Sequence, residues 1–343
     1  MGVIRTVIVD DSAFVRKVVR DMLSSSPQID VVGMARNGED ALQMVEQLKP
    51  DVVTCDLLMP ELDGVGFVRQ QMTRKALPIL LLTASPQDAE RVLEALELGA
   101  VDFIQKPTAL ANDDLRFMRE ELIQKVKDAA SATSPPPAPL TPPVARVLPS
   151  RAPTNVDIVV IGISTGGPQA LRYLLPQLAA DFPVPVVIVI HMPVGYTAPF
   201  AEKLAELSQL TVREAFEGCV AQPGEALLAP AGRHLTLKRN DDGEVAVRLS
   251  IQPLDKPHRP SVDVLFQSAA ETYHERVLGV VMTGMGDDGK EGAARIKAEG
   301  GTILTQDEAS CVIYGMPCSV VEAGLSDGAV PLVSLAEEIS KRL

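Results

Sequence analysis

The stretch Asp157-Ile-Val-Val-Ile-Gly-Ile-Ser-Thr-Gly-Gly-Pro168 leaves this chain few choices of fold. A β-branched apolar run stops abruptly at a small, polar, glycine-rich turn, and a helical pattern follows at Gln169-Ala-Leu-Arg-Tyr-Leu-Leu175. Such a run reads as a strand buried on both faces of a parallel sheet rather than as a helix. Gly162-Ile-Ser164-Thr-Gly166 fits G-x-S-x-G, the pattern that seats a serine on the bend between strand and helix. The glycines belong there because the bend uses backbone angles that side chains resist. The hydroxyl is then held at the carboxyl edge of a sheet, beside the positive end of a helix. That place suits a nucleophile whose reaction creates an oxyanion. It also suits a phosphate, and a plain tight turn is the third reading. The full G-x-G-x-x-G spacing of a dinucleotide loop is absent.

At 343 residues, 46% of them hydrophobic, the chain is long for one core, and two domains of ordinary size are expected. The formal charge of -13 argues against a protein held to nucleic acid by phosphate contacts. Aromatic residues are only 3% and tryptophan is absent, which leaves few platforms for stacking bases. Cys55, Cys219, Cys311 and Cys318 form no C-x-x-C pair, so zinc is not expected and a reducing compartment is. Met1-Gly-Val-Ile-Arg-Thr6 carries no signal-peptide pattern, and no apolar run approaches the roughly 20 residues that span a bilayer. The expectation is a soluble, cytoplasmic protein without membrane insertion.

Apolar runs alternate with helical patterns from the start. Thr6–Val9, Val31–Ala35, Val52–Cys55, Ile79–Leu82 and Asp102–Ile104 read as strands, with helices between them and a last helix at Leu115–Lys127. Five β-α units imply a doubly wound parallel sheet, flavodoxin-like in scale. Polar residues cluster where those strands end: Asp10 and Asp11, Asp56, Thr83 and Lys106. Open α/β sheets bind ligands along that edge, so these residues are predicted to meet in one crevice. Clustered carboxylates call for a cation, and hard oxygen ligands suit Mg²⁺. A lysine and a hydroxyl opposite them would hold phosphoryl oxygens. Taken singly, the aspartates also read as helix caps or turn residues and the lysine as a surface charge.

These motifs, with Asp56-Leu-Leu-Met-Pro60, Asp63-Gly64, Thr83-Ala84 and Lys106-Pro107, closely resemble the receiver domain of bacterial two-component response regulators. The resemblance implies that Asp56 accepts a phosphoryl group from a histidine kinase. It implies that Asp10, Asp11 and Asp56 hold Mg²⁺, and that Thr83 and Lys106 contact the phosphoryl oxygens. Phe103 falls where the family keeps a switching aromatic, and a core phenylalanine is the alternative. The domain expected is 1–127.

Residues 128–154 change character, with Ser134-Pro-Pro-Pro137 and further prolines at Pro139, Pro142, Pro143, Pro149 and Pro153. Such a run cannot build a helix or a central strand and favours extended polyproline II, so a linker is expected.

In the remaining stretch, 155–343, Val184-Pro-Val-Val-Ile-Val-Ile190 is a second buried strand with His191 as its last residue. Arg276-Val-Leu-Gly-Val-Val-Met282 then breaks into Thr283-Gly-Met-Gly-Asp-Asp-Gly289. Ser164, His191 and one of Asp287 or Asp288 thus leave the carboxyl ends of strands. Nucleophile, general base and orienting carboxylate are what acyl transfer needs. The order Ser, His, Asp is not that of the α/β-hydrolases, so a different fold would carry the constellation. Backbone N–H groups in Gly284-Met285-Gly286 are candidates for an oxyanion hole. Of the other histidines, His234 lies in an alternating, hairpin-like stretch, His274 on a helical pattern, and His258 in a loop able to line a substrate cleft.

Ile161-Gly-Ile-Ser-Thr-Gly-Gly167, His191-Met-Pro193, His258-Arg-Pro-Ser-Val-Asp-Val-Leu-Phe266, Thr283–Gly289 and Glu308-Ala-Ser-Cys-Val-Ile-Tyr-Gly-Met-Pro317 resemble the chemotaxis protein-glutamate methylesterases, and with the receiver the likeness covers nearly the whole chain. The resemblance implies Ser164 as nucleophile, His191 as base and Asp288, rather than Asp287, as the orienting carboxylate. It implies the Met285 N–H as an oxyanion donor and Thr165 in positioning. The expected enzyme is a carboxylic ester hydrolase that releases methanol from γ-methyl esters on chemoreceptor glutamates and deamidates particular glutamines, gated by Asp56. Its expected partners are methylated receptor cytoplasmic domains and the histidine kinase. Mg²⁺ serves the receiver, no cofactor serves the ester chemistry, and a monomer is expected. Two doubly wound parallel-sheet domains, the second Rossmann-like, follow from both halves. Two other classes compete: a response regulator whose second half acts only by docking, and a transcription factor. The second lacks a basic recognition helix.

Overall fold

The computed structural model describes residues 2–106, 112–131 and 155–343, the side chains of 112–117 excepted. The chain divides into two compact units, Met1–Leu140 and Thr141–Leu343. Pro107 and the proline-rich stretch assigned to a linker lie outside the described residues.

In the first unit each apolar run becomes a strand, and each is followed by a helix. The order is β1 (Ile4–Val9), α1 (Ala13–Leu23), β2 (Ile29–Ala35), α2 (Gly38–Leu48), β3 (Val52–Asp56), α3 (Gly64–Arg74), β4 (Ile79–Thr83), α4 (Ala89–Glu97), β5 (Asp102–Gln105) and α5 (Asn112–Ser131). The strands lie parallel in the order β2-β1-β3-β4-β5. β3 and β4 are buried along their whole length, which is why β4 is an apolar run up to Thr83 rather than an alternation, while β3 buries Thr54 and ends on Asp56. Short polar side chains start three of the helices. Ser12, Asn37 and Asp63 accept from Val15 N, Asp40 N and Gly66 N, satisfying amides that the helix leaves unpaired. α5 runs four residues past the expected end at Lys127. Met118, Leu122, Val126 and Ala129 are buried at helical spacing, so the apolar face continues beyond that point.

The second unit begins with β6 (Ile158–Ile163), α6 (Gly167–Leu174), β7 (Val186–Ile190), α7 (Thr197–Leu207), β8 (Thr211–Glu214) and β9 (Glu225–Leu228). A hairpin follows, β10 (His234–Arg239) and β11 (Val245–Ser250), and then α8 (Val262–Tyr273), β12 (Val277–Val281), α9 (Lys290–Ala298), β13 (Thr302–Gln306), α10 (Met316–Glu322), β14 (Gly328–Val330) and α11 (Leu332–Arg342). Seven parallel strands take the order β14-β13-β12-β6-β7-β9-β8, while β10 and β11 pair antiparallel in a sheet of their own. The chain leaves β6 towards β7 on one side and returns to β12 on the other. That makes the carboxyl end of β6 the switch point where open α/β sheets form a crevice. Gly162 lets α8 lie directly on β6, since a Cβ there would come within 2.2 Å of Val262 Cγ1.

Candidate active site

Ser164 and His191 come together through strand pairing. Ile163 and Ile190 are register partners on β6 and β7, and His191 N donates to Ile163 O at 3.1 Å. On the other side of β6, Ser164 N donates to Thr283 O at 3.0 Å. The serine therefore sits between the ends of β7 and β12, on the turn that Gly166 makes with φ +77°.

Asp288 reaches the same edge from the loop before α9. Its Oδ2 accepts from His191 Nε2 at 2.8 Å and from Val262 N at 2.8 Å. Its Oδ1 accepts from Ser261 Oγ at 2.8 Å and Asp263 N at 3.0 Å. Burial pushes this carboxyl up, but the bonds from His191 and from the α8 amides outweigh it and hold Asp288 well below the usual range. A carboxylate accepts only, so Nε2 carries the imidazole proton, an assignment made from the hydrogen-bond network. Nδ1 is then the basic nitrogen. It is buried and has no hydrogen-bond partner among the described residues. Asp287 is a different kind of residue, 69% exposed and paired with Lys290 at 3.0 Å.

The histidines separate cleanly. His258 stacks on His191, with ring centroids 4.1 Å apart and planes 18° from parallel. His234 is buried at the start of the hairpin, its Nε2 bonded to Pro253 O at 3.0 Å, and burial lowers its pKa. His274 is exposed beside Glu299. Thr165 is buried, and its carbonyl accepts from Thr283 Oγ1 at 3.0 Å. The Met285 N–H has no acceptor among the described residues.

Two residues that the sequence reading passed over complete this edge. Asp263 Oδ1 accepts from Gly289 N and Gly292 N at 2.9 Å each, and its Oδ2 meets Lys256 Nζ at 3.0 Å. Ser261 spends its hydroxyl on Asp288 rather than on its own helix. Ser261-Val-Asp263 ahead of an apolar helical run is legible as a helix start. Nothing local in the sequence says that Asp288 is its partner.

In the first unit, carboxylate oxygens of Asp10, Asp11 and Asp56 lie within 4.8 Å of one another. Asp10 and Asp56 are buried and Asp11 is exposed. Lys106 Nζ stands 2.6 Å from Asp10 Oδ2 and 2.8 Å from Asp56 Oδ1. Burial pushes the Asp56 carboxyl up, with Lys106 opposing and Asp10 adding to it. Burial lowers Lys106, but its two carboxylate partners win and hold it protonated. Thr83 is buried at the end of β4, its carbonyl accepting from Lys106 N at 2.7 Å and its hydroxyl facing Ser85 O. Phe103 is buried in the core on β5. Arg16, absent from the sequence reading, donates to the carbonyls of Asp10 and Asp11 and ties down the acidic loop. A cluster of hard oxygen donors with one side open suits Mg²⁺.

Residues 159–339 match the family model described as CheB methylesterase, and residues 6–116 match the response regulator receiver domain. A protein-glutamate methylesterase/protein-glutamine glutaminase 5 of Myxococcus xanthus is 47% identical over 331 residues, covering 96% of this chain and 95% of the relative. The protein-glutamate methylesterase/protein-glutamine glutaminase of Halalkalibacterium halodurans is 42% identical over 340 residues, covering 99% and 98%. The solved structure of the Thermotoga maritima CheB methylesterase catalytic domain superposes with a TM-score of 0.54 at 41% identity, covering 55% of this chain and 99% of that one. Fold and matches together define the class, a hydrolase that carries a response-regulator receiver. The chain belongs to the CheB methylesterase family.

Proposed function

We propose that this chain removes methyl groups from γ-glutamyl esters on the cytoplasmic domains of chemoreceptors, and deamidates particular receptor glutamines, under control of phosphorylation at Asp56. The observation that carries the reading is the 2.8 Å bond from His191 Nε2 to a buried Asp288, which leaves Nδ1 basic at the strand end next to Ser164. In the reaction, Nδ1 takes the Ser164 proton as Oγ attacks the ester carbonyl. The Met285 N–H stabilises the oxyanion, with Thr165 helping to position the turn. Collapse expels methanol, which takes the proton from His191. Water then gives its proton to Nδ1 and attacks the acyl-enzyme, releasing the glutamate carboxylate and restoring Ser164. A glutamine side chain follows the same path with ammonia as leaving group.

In the receiver, Asp10, Asp11 and Asp56 would hold Mg²⁺, which when bound neutralises phosphoryl oxygens. Asp56 accepts the phosphoryl group from a histidine kinase, and Lys106 and Thr83 hold its oxygens. Phe103 is core in this structure, and a switching role for it rests on the family likeness. The boundaries proposed for receiver, linker and catalytic domain are 1–127, 128–154 and 155–343, and α5 itself continues to Ser131, four residues into the stretch assigned to the linker. Among the described residues no helix is long and apolar enough to cross a membrane.

The test is methanol release from a methylated receptor signalling domain, with and without Mg²⁺ and a small phosphodonor, run beside Ser164→Ala. Release that rises with phosphodonor and vanishes in the variant is the expected result. No release from any methylated receptor would leave the docking reading in its place.

A further inference from the structure

The segment Asp307–Met316 takes no part in the chemistry above, yet it is packed against the loop that presents Met285. Gly284 N donates to Ile313 O at 3.0 Å, and Gly284 O accepts from Gly315 N at 3.1 Å and Met316 N at 2.8 Å. Gly284 and Tyr314 form a parallel bridge. The packing is closer than side chains permit. A Cβ on Gly315 would stand 2.8 Å from Gly284 O and 3.1 Å from both Gly286 N and Met285 Cα. One on Gly284 would stand 2.7 Å from Ser164 Cβ, and one on Gly166 2.6 Å from Val312 Cβ. The serine turn, the Met285 loop and residues 312–315 are thus packed together at glycines that leave no room for a side chain.

One hydroxyl joins all three. Thr283, 1% exposed, donates through Oγ1 to Thr165 O at 3.0 Å, with Ile313 O a second acceptor at 3.3 Å, and accepts from Ile313 N at 3.0 Å. Its own N–H is held by Gln306 Oε1 at 3.0 Å, and Gln306 Nε2 in turn donates to Ser310 O at 2.7 Å. A nucleophile and an oxyanion donor must address the same carbonyl group, and a misplacement of about 1 Å costs on the order of 100-fold in rate. Loops hold such tolerances only when a supporting shell fixes them.

We propose that residues 311–316 brace the oxyanion loop, with the Thr283 hydroxyl as the joint, and that Thr283 and Gly315 are positioning residues for the acyl-transfer reaction. This rests on Ser164 as nucleophile and the Met285 N–H as oxyanion donor. The brace acts on the transition state, where charge gathers on the carbonyl oxygen, and hardly at all on binding of the ground-state ester.

The experiment uses the full chain and its Thr283→Val, Thr283→Ser, Gly315→Ala and Ser164→Ala variants, with methanol release read as kcat and KM. Inhibition by phenylboronic acid is read alongside, because serine Oγ adds to its boron and gives a tetrahedral anion like the transition state. Thr283→Val keeps the shape and loses the hydroxyl. It is expected to lower kcat roughly 10- to 100-fold with KM within about threefold, and to weaken the boronate by a similar factor. Thr283→Ser restores the hydroxyl and is expected to return to within about threefold of the parent. Gly315→Ala leaves the hydroxyl in place and pushes on the loop from the other side, so it tests the brace even if Thr283→Val does not fold. Parental kcat in Thr283→Val or Gly315→Ala, a loss confined to KM, or a Thr283→Ser no better than Thr283→Val would each overturn the brace. If those results came with an inactive Ser164→Ala, the nucleophile assignment would survive them. An active Ser164→Ala would instead overturn that assignment and the brace with it.

Discussion

Asp263 and Asp288 each hold the first amides of the helix beside the other. Asp288 accepts from Val262 N and Asp263 N at the start of α8, and Asp263 accepts from Gly289 N and Gly292 N at the start of α9. The exchange locks the two helix starts together and aims Asp288 at His191. Both carboxylates sit at positive helix ends, which offsets part of the cost of burying them so close together. Burial raises the pKa of Asp263 and the charge of Asp288 adds to this, against the pull of the Gly292 amide and Lys256.

Removing Asp263 should therefore damage both stability and rate. Asp263→Ala leaves two buried amides without acceptors, at about 1–3 kcal/mol for an unsatisfied group. It should lower the unfolding midpoint and cut methanol release at least roughly 10-fold, as Asp288 loses its fixed direction. Asp263→Asn keeps an acceptor oxygen and loses only the charge opposite Lys256, so it should do less harm in both assays. Equal damage from the two substitutions would show that charge, not the amide cap, is what matters.

The two neighbouring aspartates should behave oppositely. Asp288→Asn replaces a carboxylate that receives four hydrogen bonds, and it allows the imidazole the wrong tautomer. A loss of about 10³- to 10⁴-fold in kcat is expected. Asp287→Asn removes only an exposed pair with Lys290 and should stay within about threefold, since such pairs contribute little. The depressed pKa of Asp288 also sets a sign for stability. Its contribution is fully present above the ordinary aspartate value near 4 and is lost as pH falls below it. Asp288→Asn should thus cost stability at neutral pH and progressively less in acid. Matched kinetics for the two variants would refute the assignment within the pair.

Much of this was legible before any coordinates. Buried runs such as Ile79–Leu82 and Ile158–Ile163 announce strands, and polar residues just after them announce an edge, because topology brings strand ends together. The order of strands around β6 was not legible, since no residue states which neighbour it will pair with. The Asp263–Asp288 exchange was hidden for the same reason, its partners lying 25 residues apart on separate elements. The end of α5 was missed because the proline-rich composition that follows drew the boundary too early. Thr283 looked like part of a glycine-rich loop, and only its contacts with Thr165 and Ile313 give its hydroxyl a purpose.

Asp128, on α5, should destabilise the first unit at neutral pH. Burial pushes its pKa up to about 6, helped by the charge of Asp102, while Gln124 opposes; one carboxylate oxygen is buried with no partner among the described residues. The folded state thus prefers the protonated form. That preference is fully realised below the unfolded value near 4 and is lost as pH rises through about 6. Asp128→Asn removes the charge and should stabilise by roughly 1–2 kcal/mol at pH above about 7, with no gain near pH 4. Thermal unfolding at both values checks this. A gain that persists in acid would mean that packing, not ionisation, is responsible.

The acidic pocket predicts how control over the enzyme is lost. Three carboxylates crowd within 4.8 Å, and Lys106 bonds Asp10 and Asp56 but not Asp11, which stays exposed. Bringing a phosphoryl group to Asp56 adds further negative charge to this pocket, so transfer should require a divalent cation held by the same oxygens. Methanol release by the full chain should therefore rise when Mg²⁺ and a small phosphodonor are supplied together, and with neither alone. Chelation should cancel the rise and leave the unstimulated rate, if acyl transfer runs as proposed through Ser164, His191 and Asp288 alone. Asp56→Asn should behave as the chelated enzyme does, whatever the metal concentration. Lys106→Met should accept the phosphoryl group slowly and respond weakly, if the Lys106 ammonium meets the phosphoryl oxygens as proposed. Stimulation that survived Asp56→Asn would place the switch somewhere other than this pocket, while loss of the unstimulated rate on chelation would mean that the ester chemistry itself uses a metal.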